Sequence, residues 1–209
     1  MTTAPPAAPG VRRTQAERRA TTRAALIQAT IDCLVELGHA GTTTQEVQQR
    51  AGVSRGALTH HFAAKSDLLL AAVDQLYAEF SASIRAAAQA LPAGPERVRP
   101  AIELLWQRFD GPLFVASMQL WNAARTDPDL RAALLPHERR LGRQVRQLCV
   151  DVFGPPLARH PQAEAVYQVL LTSMRGQAMT YALQPEAPRD GSHVDNWVAL
   201  VEQFTGARA

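Results

Sequence analysis

The residue types best suited to binding chemistry occur in one short stretch, residues 43–65. On its second predicted helix, hydrogen-bond donors and a glycine share one side, and no acidic residue accompanies them. The outward residues are Arg55, Gly56, Thr59 and His60, with His61 nearer the packed edge. Arginine and hydroxyl groups donate hydrogen bonds to phosphate oxygens and to base edges. The pattern predicts a helix surface that reads DNA.

The same stretch has the boundary signals of two short helices, at about 43–51 and 55–62. Thr43 and Glu46 form a capping-box pattern that begins the first helix. Gly52 fits the left-handed residue that ends it, and Ser54 is a suitable N-cap for the second. Apolar residues at i, i+4 spacing face inward in both helices: Val47 and Ala51, then Leu58 and Phe62. This spacing predicts a helix-turn-helix, which places its second helix in the DNA major groove.

This segment resembles the DNA-binding domain of the tetracycline-repressor (TetR) family of bacterial regulators, over roughly residues 14–75. That family has a Thr-rich lead-in, Ala-Gly-Val-Ser, a small residue, Leu-Tyr-x-His-Phe and a later lysine. The matching positions are Thr42-Thr43, Ala51-Gly52-Val53-Ser54, Gly56, Leu58-Thr59-His60-His61-Phe62 and Lys65. Two positions depart from the pattern. Thr59 replaces a phosphate-contacting tyrosine, and Gln48 replaces a small residue and must either project outward or add a polar contact.

The resemblance implies a transcriptional regulator, a repressor in the first instance, whose partner is double-stranded DNA. The residues it assigns to bases are Arg55, Gly56, Thr59 and His60, and those assigned to phosphates are Ser54, His61 and Lys65, with Thr43 and Thr44 in the lead-in. The charge distribution agrees, since the first 65 residues hold eight basic and four acidic side chains while the whole chain has a formal net charge of +3. A basic N-terminal region favours phosphate contact.

The rest of the chain predicts an all-α protein of about nine helices. Rows of apolar residues spaced by three and four predict helices near 14–37, 66–91, 98–109, 113–126, 127–153, 162–183 and 194–204, beside the two short ones. Ser66 and Asp67 are expected to cap the second of these, and Pro136 to split or kink the fifth. We expect a disordered tail over 1–12, a three-helix DNA-binding domain over 13–65 and a ligand-binding and dimerisation domain over 66–209. Arginines lead from the tail into the first helix, either as an arm for the minor groove or as a solubilising tail: Arg12, Arg13, Arg18 and Arg19.

A homodimer is expected because one recognition helix touches only a few base pairs, and a palindrome presents the same site twice. The candidate interface lies in the last two helices, with an apolar face formed by Val166, Leu170, Met174, Trp197 and Val201. The resemblance implies a four-helix bundle built from two such helices of each subunit. The alternative is that this face belongs to the core of one chain.

A small-molecule site is expected among the middle helices, where bulky flexible residues occur with a few polar ones. The candidates are Trp106, Phe109, Phe114, Met118, Trp121, Arg125, Met174, Arg175 and Met179. An apolar cavity with a few convergent polar groups suits a small ligand, although any one of these residues can also belong to ordinary core. Because the set contains no acid, it favours a neutral or anionic, apolar effector.

Other classes of function lack support in the sequence. His60 and His61 are adjacent and diverge by about 100° on a helix, so they do not chelate one metal ion together. No catalytic motif appears, so neither an enzyme nor a cofactor is expected. No run approaches the length of a membrane span, and the expected location is cytoplasmic. A ligand-independent structural or nucleoid-type DNA-binding protein is the rival interpretation, and such a protein would tolerate any sequence.

Overall fold

The computed structural model describes residues 14–184 and 191–205, and this part of the chain consists of helices joined by short loops. Nine helices run in order as α1 Gln15–Gly41, α2 Thr44–Ala51, α3 Arg55–His61, α4 Lys65–Ala88, α5 Val98–Trp106, α6 Pro112–Ala124, α7 Pro128–Phe153, α8 Ala163–Leu183 and α9 Ser192–Thr205. Single turns lie at Pro95–Arg97 and Pro155–Ala158. No strand occurs in the described residues, and the all-α prediction is confirmed. The predicted tail, with Arg12 and Arg13, lies outside them.

The N-terminal helix boundaries follow the expected side chains with two differences. The Thr43 hydroxyl accepts a hydrogen bond from the Glu46 N–H at 3.1 Å and caps α2. The Glu46 carboxylate, however, binds Arg50, so only half of the predicted capping box forms. Ser66 does not cap α4, because that helix begins at Lys65 and the Asp67 carboxylate accepts from the Ala64 N–H.

Several predicted boundaries move because hydrogen bonds to the main chain continue or end a helix. The regular part of α1 breaks at its expected stop, Gly38, where the backbone turns to φ 67°, and a short further turn runs on to Gly41. α4 ends at Ala88 rather than near 91, and the Arg97 guanidinium donates to the carbonyls of Ala88, Leu91 and Val152 there. α7 continues through Pro136 without a split.

Two apolar clusters form the core, and α4 and α7 contribute to both. The first joins α1–α3 to the first half of α4, to α6 and to the first half of α7. The second joins the end of α4 to α5, the end of α7, α8 and α9. We call residues 14–61 the head and residues 65–205 the body. The head shares its core with the body, and the expected boundary at residue 65 stays a prediction.

No helix within the described residues is both long and apolar enough to cross a membrane.

Candidate functional site

The second helix of the helix-turn-helix, α3, is held by its apolar side and presents a polar side to solvent. Leu58 and Phe62 are buried against Val47 of α2. Gly52 takes the left-handed conformation, with φ 64° and ψ 33°, and ends α2. The Ser54 hydroxyl accepts from the Ala57 N–H and caps α3. The exposed side carries Arg55, Gly56, Thr59 and His60, while His61 is half-buried at the edge.

Gly56 and Thr59 have small side chains, so the exposed surface of α3 has little steric bulk at these two positions. A Cβ added at Gly56 would meet nothing within 4 Å, so packing inside the chain does not demand glycine at this position. The Thr59 hydroxyl donates to the carbonyls of Arg55 and Gly56, each at 3.2 Å. Its donor is therefore used within the helix, and Thr59 offers a methyl group and an acceptor oxygen. Such a surface allows close approach of a groove, and a threonine methyl suits contact with a thymine methyl.

Two acids of the head, Glu36 and Glu46, are paired with one arginine. Arg50 donates to Glu36 of α1 at 2.6 Å and to Glu46 of α2 at 2.8 Å. The bridge ties α1 to α2 and neutralises both carboxylates. Arg50 is thereby occupied within the head. Neither Glu36 nor Glu46 is left as an unpaired carboxylate that could compete for the exposed donors of α3.

Two arginines of α1 extend the basic surface: Arg19, which the sequence offered as part of a minor-groove arm or a solubilising tail, and Arg23, which the sequence analysis missed as a site residue. The Arg23 guanidinium lies over the Phe62 ring, 5.3 Å from its centroid. Burial lowers the pKa of His61, and the neighbouring His60, Arg19 and Arg23 lower it further because they disfavour a second positive charge. The i, i+4 spacing of Arg19 and Arg23 was the available signal, since it places both on one side of α1. Positive charge from α1 and α3 therefore meets beside His61.

Lys65, expected at a phosphate, lies at the start of α4 with its ammonium turned partly inward. Its Nζ donates to the His39 carbonyl at 3.4 Å. Burial lowers the pKa of this ammonium, and the carboxylate of Asp127 partly offsets the effect. An ammonium has three N–H donors, so this long bond leaves two for another acceptor.

A cavity of about 460 Å³ lies in the body between α4, α5, α6, α7 and α8. Aromatic and aliphatic residues form much of its wall: Phe80, Leu105, Phe109, Leu113, Phe114, Trp121, Leu141, Val145, Leu148 and Leu171. Polar and charged groups complete it: Arg108, Ser117, Glu138, Arg146, Cys149, Glu164, Gln168, Thr172 and Arg175, with Gly142 between α7 residues. The volume suits a small organic molecule.

The predicted ligand residues divide into those that line this cavity and those that do not. Phe109, Phe114, Trp121 and Arg175 line it. The other predicted residues do not line this cavity. Arg125 lines a second, shallower cavity of about 380 Å³, which shares Trp121 and Glu138 with the first.

Four predicted ligand residues have other surroundings because helical spacing does not tell which side of a helix faces a cavity. Trp106 packs on Trp197 with ring centroids 4.9 Å apart. Met174 is completely buried, whereas Met179 is 45% exposed. Met118 is half-buried away from the cavity wall.

The charges in the cavity differ from the expectation, which rested on an absence of acids. Glu138 and Glu164 both line it. Glu164 pairs with Arg146 at 3.3 Å. Arg175 lies over the Trp121 ring at 4.6 Å and, among the described residues, has no carboxylate within salt-bridge distance. Burial lowers the pKa of its guanidinium, and Glu138 partly offsets that effect. Glu138 also has no ion pair among the described residues, so Arg108 and Arg175 face this one carboxylate and leave the wall with a net charge of +1 (two positive against one negative, with Arg146 and Glu164 cancelling).

The predicted interface residues are buried within one chain and leave almost no surface for a second subunit. Val166, Leu170, Met174 and Val201 are 0% exposed and Trp197 is 5% exposed. They belong to the second core cluster, which was the alternative left open by the sequence. A side chain without exposed surface cannot contact a second subunit.

The outer side of α8 carries a different row, which we call the α8 stripe. Its members are spaced by four and three residues: Ala165, Val169, Thr172, Gly176, Met179 and Leu183, of which Thr172 also borders the mouth of the cavity. Val169 is 44% exposed, Met179 45% and Leu183 85%. Phe204 of α9 is also 36% exposed. The last two helices thus expose an apolar surface, although not the predicted one.

Comparison with known proteins gives consistent matches to the fold and the helix-turn-helix. A family model described as bacterial regulatory proteins, tetR family, matches residues 26–72. The HTH-type transcriptional regulator CymR of Pseudomonas putida is 33% identical over 178 residues, 85% of this chain and 88% of that protein. The HTH-type transcriptional regulator BetI of Paraburkholderia xenovorans (strain LB400) is 32% identical over 140 residues, 66% of this chain and 70% of that protein.

Solved structures extend the similarity through the body. The multidrug binding protein EbrR complexed with imidazole superposes with a TM-score of 0.59 at 25% identity, over 90% of this chain and 96% of that one. A TetR transcription regulator from Haloarcula marismortui ATCC 43049 gives a TM-score of 0.66 at 23% identity, over 90% and 97%. The second likeness concerns the fold alone.

Proposed function

The chain belongs to the TetR family of bacterial regulatory proteins, and from this we propose that it represses transcription as a dimer on a palindromic DNA operator and is released by a small molecule. The observation that carries the proposal is the exposed donor surface of α3, capped by Ser54 and packed on α2. Glu36 of α1 and Glu46 of α2 are paired with Arg50. Phosphates can therefore approach without repulsion from these carboxylates.

We assign base contacts to Arg55, Gly56, Thr59 and His60, which are exposed on one side of α3. We assign phosphate contacts to Ser54, His61 and Lys65, and also to Thr43 and Thr44 at the start of α2. Arg19 and Arg23 join them, because their positive charge acts on His61. These roles predict different kinds of loss on substitution, since phosphate contacts position the protein and base contacts specify the sequence.

The test selects the preferred DNA from a random pool and then compares Arg55→Ala with Lys65→Ala. We expect Arg55→Ala to weaken binding by about 1–3 kcal/mol and to relax the preference at one base position. Lys65→Ala should weaken binding to all sequences alike and reduce the slope of log affinity against log salt by about one unit. Base preference that changes in Lys65→Ala and not in Arg55→Ala would reverse the assignment. Equal affinity for every sequence in the pool would favour the nucleoid-type alternative.

For the dimer we propose the α8 stripe in place of the buried face. Small residues at Ala165 and Gly176 allow two helix backbones to approach closely, and Val169, Met179 and Leu183 supply apolar surface. A two-fold axis would place the same stripe of the second subunit against it. Phe204 of α9 extends the surface. This arrangement uses residues that one chain leaves exposed.

For the effector we propose an apolar, aromatic or acyl molecule with one negative charge. The cavity wall supplies aromatic rings, and Arg175 supplies a guanidinium without a carboxylate partner among the described residues. Binding a carboxylate at this charge would replace lost hydration by charge-assisted hydrogen bonds. EbrR, a multidrug binding protein solved with imidazole, supports a ligand site within this fold.

A further inference from the structure

The body holds one residue of the head, His39, at both its main-chain N–H and its main-chain carbonyl. The His39 N–H donates to Oε1 of Gln119 in α6 at 3.4 Å. The His39 carbonyl accepts from Nζ of Lys65 at the start of α4, also at 3.4 Å. Both bonds are at the long end for N–H···O contacts, so small movements of α6 or α4 suffice to break or tighten them. The His39 main chain is a direct link between body and head.

The neighbouring glycine makes room for this link. Gly38 has φ 67° and ψ −178°, a conformation that is essentially restricted to glycine. A Cβ at this position would lie 2.9 Å from Oε1 of Gln119. The Gly38 carbonyl in turn accepts from the Thr42 hydroxyl at 2.7 Å. Thr42 precedes Thr43, the N-cap of α2, so the kink is connected to the helix-turn-helix by only a few residues.

The opposite side of α6 forms part of the cavity wall. Phe114, Ser117 and Trp121 line the cavity. At 100° per residue, Gln119 lies roughly 160° around the helix from the centre of that row. A ligand that pushes on the first side of a rigid helix therefore moves the second side as well. α6 also packs on α1 within the first core cluster, where Ala116 and Leu120 are buried.

We propose that Gln119 is a positioning residue that couples the cavity to the DNA-reading helices through the His39 main chain. Displacement of α6 by a bound ligand changes the Gln119 contact, and the kink at Gly38 passes the change to α2 and α3. Lys65 binds the carbonyl of the same residue and makes the position of the kink depend on α4 as well. This inference rests on the proposed function, because it assumes that the cavity is the effector site.

The test uses the full chain and the aromatic anion 1-anilinonaphthalene-8-sulfonate as a cavity probe. Hydrogen–deuterium exchange is measured for amides 39–61 with and without saturating probe, in the wild type, in Gln119→Ala and in the control Asn122→Ala. Asn122 is exposed on the same helix and does not line the cavity. DNA affinity with and without probe is measured in parallel on the selected DNA.

We expect the probe to change exchange over amides 39–61 in the wild type and in Asn122→Ala. In Gln119→Ala this change should shrink at least fivefold while the probe dissociation constant shifts by less than about twofold. In the wild type the probe should weaken DNA binding by a factor typical of allosteric coupling, about 5- to 150-fold. In Gln119→Ala the ratio of the DNA dissociation constants with and without probe should approach one. A purely structural role would change basal exchange but leave the probe-induced change intact.

The two hypotheses fail in different ways. Probe-induced changes of equal size in Gln119→Ala and the wild type would overturn the role of Gln119, and so would a bound probe that leaves amides 39–61 unchanged in the wild type. If the probe alters exchange through Gln119 but leaves DNA affinity unchanged, ligand release of DNA is wrong while the coupling stands.

Discussion

The α8 stripe gives a sharp test of assembly, because its two best apolar contacts can be charged without touching the core. We consider the double replacement Val169→Glu with Met179→Glu. These side chains are 44% and 45% exposed in the single chain, so a carboxylate at either place remains hydrated in the monomer. Across a two-fold axis the same change brings four carboxylates into one apolar interface.

The magnitude follows from the exposed surface. Full burial of a valine or methionine side chain contributes about 1.5–3 kcal/mol, and each side chain still has nearly half of its surface to bury. About 1 kcal/mol is then lost per side chain, and about 4 kcal/mol over the four copies in a dimer. This alone weakens the dimer by about three orders of magnitude, and burial of like charges weakens it further.

Sedimentation equilibrium measures the subunit association, and circular dichroism with thermal unfolding measures whether each subunit still folds. We expect folded monomers that bind DNA far more weakly than the wild type. The matched control is Ala182→Glu, an exposed position on the same helix outside the stripe, which should stay dimeric. A double variant that remains a dimer at micromolar concentration would place the interface elsewhere. Val166→Glu or Leu170→Glu is unsuitable for this purpose, because both side chains are 0% exposed and their replacement should unfold the chain.

Two further predictions concern single charges. Arg175→Met should weaken binding of an aromatic carboxylate by about 10- to 100-fold, as expected for the loss of a hydrogen bond to a charged group. Binding of the matching carboxamide should change by less than about threefold. Calorimetry on both ligands checks this, and equal losses for the two ligands would remove Arg175 from the site. For His61, burial and the nearby positive charges lower the pKa in the free protein, whereas DNA phosphates would raise it. Binding then takes up a proton, so DNA affinity should rise as the pH falls below about 7, by up to tenfold per unit. Fluorescence anisotropy titrations from pH 5 to 8 should show a flatter profile for His61→Gln, and an unchanged profile would exclude His61 from the phosphate contacts.

The helix-turn-helix could be predicted from sequence because each of its determinants is local. Thr43 and Ser54 accept hydrogen bonds from N–H groups three residues ahead, and Gly52 supplies the left-handed conformation within the same few residues. Leu58 and Phe62 are one helical turn apart, so their common burial follows from helix geometry alone. Local signals of this kind need no knowledge of distant partners.

The body was predicted less well because its assignments depend on which neighbour covers each side of a helix. On α8 the periodicity correctly gave Val166, Leu170 and Met174 as one apolar side. It could not tell that α9 and α7 of the same chain cover that side, nor that Val169 and Met179 remain exposed. The prediction of a cavity without acidic residues failed for a related reason. Glu138 and Glu164 lie on different helices, and only the tertiary packing brings them to one wall.

The shared core explains why the head can respond to the body without unfolding. Val47, Leu58 and Phe62 are buried in the cluster that contains Leu69 of α4 and Leu120 of α6. Head and body have no separate apolar interiors at this point, so a shift of α4 or α6 must be followed by α2 and α3 if close packing is to be kept. A coupling of 2–3 kcal/mol is within the usual range for allosteric proteins, and it is small beside the total burial in this cluster. The exposed donors of α3 can therefore be re-aimed by a modest displacement, while the contacts that keep the helix folded stay in place.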